Sequence, residues 1–539
     1  MEVSRRCVRR RAGSGSARRR AHRPLRDRHR RRAPASLVGR QALGGVARGR
    51  RRAARCSGSV LRVERRAPRR VRVGRRRRAA PRGPRVSEQF DFVIIGAGAS
   101  GEAAAHYARA RGASAALVEQ DLFGGTCAFW GCMPSKTLLH AAAVRACGGD
   151  YSWERASARR DYMIVREGRD YPDDSGHIRA YEAAGIVPVR GTARISGPGN
   201  VVVQVDGKPR ELEARNIVVA VGSVGKVPTL EGLAEAGFWT NKEGTSLREL
   251  PRSIVLLGAG PSGTELAQVY GRFGVRTVVV SPRQVNPTDH PRSSARLAKA
   301  LRDSGVDVRE NARAQRVRPR AGKGGEHVVE LAGGSTVEAE VIELNVGRTA
   351  APALRRLGLE NAGVRYDGGD FLEVDDRLRI ADHVYGIGDC VGHELSTHLG
   401  HYEGETAVKI ALGDDLRADF SAVPRAVYTD PESAGVGLLV NQAKERGIDA
   451  YEETADLGTS AKGYVSESEG HVSIVIDRKN KVVVGAFIAG PAASEAIHEA
   501  VLAIKLRTPI ATLAETIHAF PTVARVMGGL FAKAALALR

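Results

Sequence analysis

Cys127 and Cys132 stand in the stretch "GGTCAFWGCMPSK", residues 124 to 136, behind a Gly-Gly pair and two positions ahead of Pro134. Such a pair can bind metal, staple a secreted fold or carry electrons. The other cysteines are Cys7, Cys56, Cys147 and Cys390, too sparse for a secreted disulfide framework. A zinc site wants four ligands, and no second pair lies at suitable spacing, so no metal is expected. In a regular helix, residues i and i+5 lie roughly 8–9 Å apart, from a ~7.5 Å rise and an offset across the cylinder. That exceeds the ~7 Å limit for a disulfide, so these two can pair only across a distorted helix. Gly131 is the residue that permits the distortion, and Pro134 suits the first turn of the helix "PSKTLLHAAAVRA".

The elements that must position this pair follow from the patterning. Short β runs alternate with Ala-rich helical stretches, the signature of parallel α/β architecture. "FDFVIIGAGASGEAAAHYARARGASAALVEQ" reads as one βαβ unit, with a strand over Phe92 to Ile95 and a G-x-G-x-x-G turn at Gly96, Gly98 and Gly101. The first glycine permits the tight turn, the second admits a pyrophosphate to the backbone, and the third lets helix and strand pack closely. Glu119 ends the second strand, where an acid can bind a ribose 2′-hydroxyl.

"SIVLLGAGPSGTELAQVYGRFGVRTVVVSPRQV" repeats the pattern with Gly258, Gly260 and Gly263 and a second strand over Thr277 to Val280. Ser281 replaces the acid, and Arg283 follows two residues on. Losing the acid removes a 2′-hydroxyl acceptor, and an arginine can hold a 2′-phosphate, so NADPH is expected over NADH. A merely solvated surface arginine is the competing reading. Two dinucleotide sites imply two dinucleotides, most economically FAD and a nicotinamide donor.

The net charge of +24 is uneven. Residues 1–86 hold 32 arginines, no lysine and three acids, a net +29, which leaves −5 for the other 453 residues. With no Phe, Trp, Tyr, Ile or Thr, and valine its only β-branched type, this tail cannot bury enough apolar surface to fold, and disorder is expected. The expectation is that it is upstream sequence outside the native protein, with Val86 as an alternative start. A basic arm gripping phosphates and an organelle-targeting leader are the other readings. No apolar run reaches the ~18 residues of a membrane span, and a cytoplasmic location is expected.

"GGTCAFWGCMPSK" also resembles the redox-active disulfide segment of the class I pyridine nucleotide–disulfide oxidoreductases, the family of dihydrolipoamide dehydrogenase, glutathione reductase and mercuric reductase. The resemblance runs from about Gln89 to the C-terminus. "VVAVGSVGKVP" (218–228) is similar to the chain's exit from the FAD region, and "VGRTAAPALRRLGLE" and "VYGIGDCVG" to later FAD segments. "VYTDPESAGVGL" (427–438) is similar to the start of a dimerisation domain.

The implied fold is α/β, with two Rossmann-like dinucleotide-binding domains, for FAD and NAD(P), and a C-terminal α+β dimerisation domain. The implied divisions are 87–228 (FAD, first part), 229–347 (NAD(P)), 348–420 (FAD, second part) and 421–539 (dimerisation), and the expected assembly is a homodimer. The resemblance implies a redox-active disulfide, with Cys132 nearest the flavin and Cys127 facing the substrate. It places Lys136 and Glu265 as an ion pair near the flavin and Asp389 against the ribitol. Gly125, Thr126, Gly191, Gly222 and Gly347 complete the implied cofactor contacts.

One stretch departs from the family. Where its disulfide reductases read H-P-T-x-S-E, "TIHAFPTVARVMGGL" (516–530) has Phe520 for the catalytic His and Arg525 for the Glu that orients it. Neither can do acid–base work near neutral pH. His518 lies two residues earlier, and a structural role is expected for it. Mercuric reductases compensate with a C-terminal cysteine pair, but the last cysteine here is Cys390. The leading expectation is an FAD-dependent NAD(P)H oxidoreductase whose acceptor is a quinone or a small disulfide. An orthodox dihydrolipoamide dehydrogenase-like disulfide reductase is second. A nucleic-acid-binding flavoprotein working through the Arg tail is the alternative of another class, disfavoured because the body lacks basic patches interleaved with aromatics.

Overall fold

The computed structural model of the protein describes residues 87–322 and 324–539. The arginine-rich tail, and the readings placed on it, lie outside the described residues. The described residues form five sheets, the three largest of which organise the fold.

The first sheet is built on the strand Glu88–Ile95, flanked in parallel by Ala115–Glu119 and Lys208–Val219. Val187–Arg190 and Val384–Gly386 extend it on either side, both in parallel. Phe92, Val93 and Ile94 are fully buried. Such a continuous apolar run, rather than an alternating one, is what a parallel strand covered on both faces requires. The strand begins four residues before the Phe92 expected from the apolar run, because Glu88, Gln89 and Phe90 also pair, with Leu212, Glu213 and Ala214. Between strands one and two runs the helix Ala99–Ala110, whose Gly101, Ala104, Ala105 and Ala108 form the buried face.

The second unit repeats this plan in a four-stranded parallel sheet ordered Asp307–Arg309, Arg276–Val280, Ser253–Leu257, Val341–Leu344. Its helix Pro261–Arg272 buries Leu266, Ala267, Val269 and Tyr270. The chain enters and leaves this unit side by side. Ser223–Gly225 pairs antiparallel with Arg348–Ala350, and Lys226 N–H donates to Gly347 O at 2.9 Å.

The C-terminal part is a five-stranded antiparallel sheet. In its strand His471–Asp477, Val472, Ile474 and Ile476 face Met527 and Phe531 of the helix Val523–Ala537. The intervening Val475 joins Phe487 in a second cluster on the opposite face. Covering both faces explains why this strand lacks the polar alternation of a half-exposed one. Ile517 and Phe520, near the end of this unit, are 96% and 74% exposed. No described helix is long and apolar enough to cross a membrane.

Candidate functional site

The segment between the cysteines is two helices with a break. Gly125–Phe129 ends at Trp130, Gly131 takes φ −124°, ψ −108°, and a new helix, Cys132–Ala146, begins. Gly131 is needed for space as well as for its dihedrals, since a Cβ there would lie 3.1 Å from Thr126 O and 3.4 Å from Cys127 Cα. The second helix starts at Cys132, two residues before Pro134, which leaves the proline inside the first turn, where no carbonyl of that helix needs its missing N–H.

Cys127 and Cys132 are both free thiols, half-buried. The Thr397 hydroxyl lies 3.1 Å from Cys127 Sγ and 3.3 Å from Cys132 Sγ. It stands at the first residue of the helix Thr397–Ala411. The two sulfurs are electrostatically unlike. A hydrogen bond from the Cys127 thiol, opposed by burial and aided by Thr397 and Lys136, holds Cys132 below the ordinary thiol range. The same bond, together with burial, pushes Cys127 far up, so it keeps its proton. One thiolate beside one thiol is the arrangement a redox or nucleophilic pair uses.

Lys136, one turn along from Cys132, pairs with Glu265 at 2.7 Å. The Glu265 side chain is 3% exposed, and its other oxygen accepts from Tyr428 N–H at 3.0 Å. The Tyr428 ring lies under the Lys136 ammonium, 4.8 Å from its centroid. Burial works against that ammonium, but the Glu265 carboxylate more than offsets it and raises the lysine's pKa.

The glycine-rich turns have the shape a dinucleotide needs. Gly96 takes φ +108° and a Cβ there would lie 2.2 Å from Ala220 O, while a Cβ at Gly101 would lie 1.9 Å from Gly96 O. At Gly98 nothing lies within 4 Å, and no side chain caps the helix it begins. The result is an open cradle of free N–H groups at a helix N-terminus, suited to a pyrophosphate. Gly258, Gly260 and Gly263 repeat it: a Cβ would meet Asn345 O at 2.2 Å, open space, and Gly258 O at 2.4 Å. Gly125 packs against the first cradle, where a Cβ would lie 2.6 Å from Gly98 Cα, and Thr126 beside it is exposed.

Glu119 accepts from the N–H groups of Ala97 at 2.9 Å and Asp121 at 2.8 Å. Burial, only partly countered by those bonds, raises its pKa. Gly191 N–H donates to Glu119 O, and a Cβ at Gly191 would lie 2.3 Å from Gln204 O. Gly222 and Gly347 flank the paired crossover strands, each at positive φ with open space where a Cβ would be. Asp389 accepts from Ser223 Oγ at 2.5 Å, and the same hydroxyl accepts from Arg348 Nε at 2.7 Å. Burial lowers the Arg348 pKa, partly countered by the charges of Asp389 and Cys132.

In the second unit Ser281 is buried and Arg283 exposed, its side chain making no hydrogen bond or ion pair with the described residues. Neither lies in the cysteine cluster. The His518 ring is 6% exposed, lies 2.7 Å from Glu499 and packs on Gly528, where a Cβ would lie 2.5 Å from Nδ1. Arg525 is exposed. Among the described residues, no group of three or more His, Cys, Asp or Glu side chains is arranged to hold a metal.

Sequence reasoning missed Thr397, Tyr428 and Arg348. Thr397 is 270 positions from Cys127, and nothing in local spacing marks it. The usable signal was its place a few residues after the Gly-Asp of "VYGIGDCVG", where a helix begins.

Residues 90–409 match the family described as pyridine nucleotide-disulphide oxidoreductase, and residues 423–530 match that family's dimerisation domain. A dihydrolipoyl dehydrogenase of Chlorobaculum tepidum is 31% identical over 463 residues, covering 82% of this chain and 96% of that protein. A mercuric reductase of Acidithiobacillus ferrooxidans is 28% identical, covering 82% and 81%. Among solved structures, LpdA from Mycobacterium tuberculosis is 26% identical with a TM-score of 0.73, covering 83% of this chain and 99% of that one.

Proposed function

Because the chain belongs to the pyridine nucleotide-disulphide oxidoreductase family, FAD-dependent enzymes that use a pyridine nucleotide, we propose that its Cys127–Cys132 pair passes electrons from NADPH to a quinone or a small disulfide. The supporting observation is the two thiols sharing the Thr397 hydroxyl next to the Lys136–Glu265 ion pair, a setting that lowers the Cys132 pKa and raises that of Cys127. Bound FAD would supply the two-electron conduit between nicotinamide and disulfide. The disulfide takes up two electrons and one proton, giving the Cys132 thiolate and the Cys127 thiol. Lys136 stabilises the thiolate, and Thr397 offers its hydroxyl to either sulfur.

In this proposal Gly96, Gly98, Gly101, Glu119, Gly125, Thr126, Gly191, Gly222, Gly347 and Asp389 hold FAD. Gly258, Gly260, Gly263, Ser281 and Arg283 hold the nicotinamide nucleotide, with unpaired Arg283 free to take a 2′-phosphate. The residue ranges 87–228, 229–347, 348–420 and 421–539 serve as the working domains. The exposed Ile517 and Phe520 favour a buried role in the homodimer that the dimerisation domain supports. A cytoplasmic setting belongs to the same proposal, since reversible thiol pairs are maintained where thiols are kept reduced.

The acceptor follows from what the C-terminal segment lacks. Phe520 and Arg525 cannot protonate a leaving thiolate, and the His518 ring is buried, 6% exposed, away from solvent and substrate. A quinone needs no such acid, since its oxygens take protons from water. An orthodox disulfide reductase is the second reading, favoured by the dihydrolipoyl dehydrogenase likeness over nearly the whole of that relative.

The test is an anaerobic titration with NADPH, then NADH, counting thiols, followed by turnover with a quinone, lipoamide and oxidised glutathione. Two new thiols per chain and turnover with the quinone are expected. If no thiols appear, the cysteine assignment is wrong; if lipoamide turns over fastest, the second reading replaces the first.

A further inference from the structure

The segment between the cysteines contains a carbonyl that its own helix cannot satisfy. Trp130 closes the first helix and stands before Gly131, the N-cap of the second, so its C=O is a helix-end acceptor with no intrahelical partner. A continuous helix would offer it the N–H four residues on, but that residue is Pro134, which has none. Trp130 is 8% exposed, so its carbonyl is also cut off from most water. A buried carbonyl in this situation needs a donor from elsewhere.

The donor comes from over a hundred residues away. Asn241 Nδ2 donates to Trp130 O at 2.8 Å, and the Thr245 hydroxyl stands 3.2 Å from the same oxygen while also 2.8 Å from Asn241 O. The single Thr245 proton is therefore shared, and Asn241 is the principal donor. Its helix, Asn241–Ser246, is fixed by a capping box between Thr240 and Glu243. The amide's orientation is set from its other end, where Arg348 Nη1 faces Asn241 Oδ1 at 3.4 Å. Arg348 continues to Ser223, and Ser223 to Asp389.

We infer that Asn241 is a positioning residue for the redox pair: by supplying the donor that Pro134 cannot, it fixes the helix break at Trp130–Gly131 and so the placement of Cys132 against Cys127 and Thr397. It touches neither sulfur and acts through the Trp130 carbonyl. The polar line Trp130–Asn241–Arg348–Ser223–Asp389 joins the break to the residue proposed to hold the ribitol, so both redox centres share one scaffold. Reduction creates charge at Cys132, so loosening the break that places it beside Thr397 and Lys136 costs the reduced pair more than the disulfide. This inference rests on the proposed redox role of Cys127 and Cys132.

The experiment equilibrates the full chain with glutathione redox buffers and measures the Cys127–Cys132 dithiol–disulfide ratio by alkylation, alongside the pH at which the more reactive thiol alkylates half-maximally. Asn241→Asp keeps the shape but turns the donor into an acceptor. It is expected to lower the reduction equilibrium constant about tenfold, equivalent to ~30 mV more negative for a two-electron couple. Asn241→Ser, which retains a hydroxyl donor, is expected to fall between it and the parent, and serves if the aspartate variant does not fold. Parental potential and parental alkylation profile in a folded variant overturn the inference. A parent protein that shows no dithiol–disulfide couple at all overturns the redox assignment itself, a result distinct from the first.

Discussion

Replacing Thr397 with valine should raise the pKa of Cys132 by about one unit. The side chain keeps its volume, and what is lost is the hydroxyl, 3.1 Å from Cys127 Sγ and 3.3 Å from Cys132 Sγ. A hydrogen bond to a charged acceptor contributes about 1.5–3 kcal/mol, and the single proton is divided between two sulfurs, so about half of that is at stake for the thiolate. At ~1.4 kcal/mol per pKa unit this is about one unit, or a tenfold smaller thiolate fraction at pH values below the pKa. The sign is set by the fold: Cys132 lies below the ordinary thiol range, in part through Thr397, so removing the hydroxyl moves it back up. The assay is the rate of iodoacetamide alkylation of the reduced protein as a function of pH. Thr397→Ser should retain the parental profile. If the valine variant alkylates with the parental pH dependence, the reasoning that a shared hydroxyl stabilises this thiolate is refuted.

Arg283→Ala should raise the KM for NADPH about tenfold, ~1.4 kcal/mol of lost binding, and leave the KM for NADH unchanged; equal effects on both would rule out a 2′-phosphate contact. His518→Ala should cost about 1–3 kcal/mol of stability by leaving Glu499 half-buried and unpaired, with kcat for disulfide acceptors unaltered in the folded protein; a large fall in kcat at parental stability would instead make His518 the missing acid. Glu343 is wholly buried, and burial raises its carboxyl to about 7 from 4.5. Its protonated form is the one the fold favours, so the associated stability is complete below 4.5 and is lost as pH rises to about 7. The loss amounts to up to about 3 kcal/mol. Glu343→Gln should flatten the fall in thermal midpoint between mildly acidic and mildly alkaline buffer, and an unchanged pH profile would contradict the assignment.

The glycine turns were legible because their causes are local. A tight turn, an open approach and a close packing each demand the absence of a Cβ at a fixed offset, and Gly96, Gly98 and Gly101 meet those demands within six residues. The break at Gly131 was legible for the same reason, since five helical residues cannot bring two cysteines within bonding reach. The start of the second helix was misplaced because Pro134 marks a first turn without saying which residue of it. Thr397, Asn241 and Tyr428 were illegible for another reason. Each reaches its partner across a tertiary contact, Thr397 to the sulfurs, Asn241 to Trp130 O and Tyr428 to Glu265. A threonine, an asparagine and a tyrosine carry no periodic or spacing signal that separates these roles from ordinary surface positions. The lysine–glutamate pair was found only through likeness to a family, because its members lie 129 positions apart.

The ladder joining Ser223–Gly225 to Arg348–Ala350 has a consequence for how the chain can be cut and rejoined. It makes the nucleotide unit a guest whose two ends leave the host as neighbours across a strand pair. Closing a loop costs free energy only as the logarithm of its length, so exchanging the whole guest for a turn of about ten residues would change that cost by only ~2 kcal/mol. Chain closure is thus no barrier to removing the guest; what holds it in place is the buried cluster in which Leu138, Leu139 and Ala142 of the host pack against Leu266 and Tyr270 of the guest.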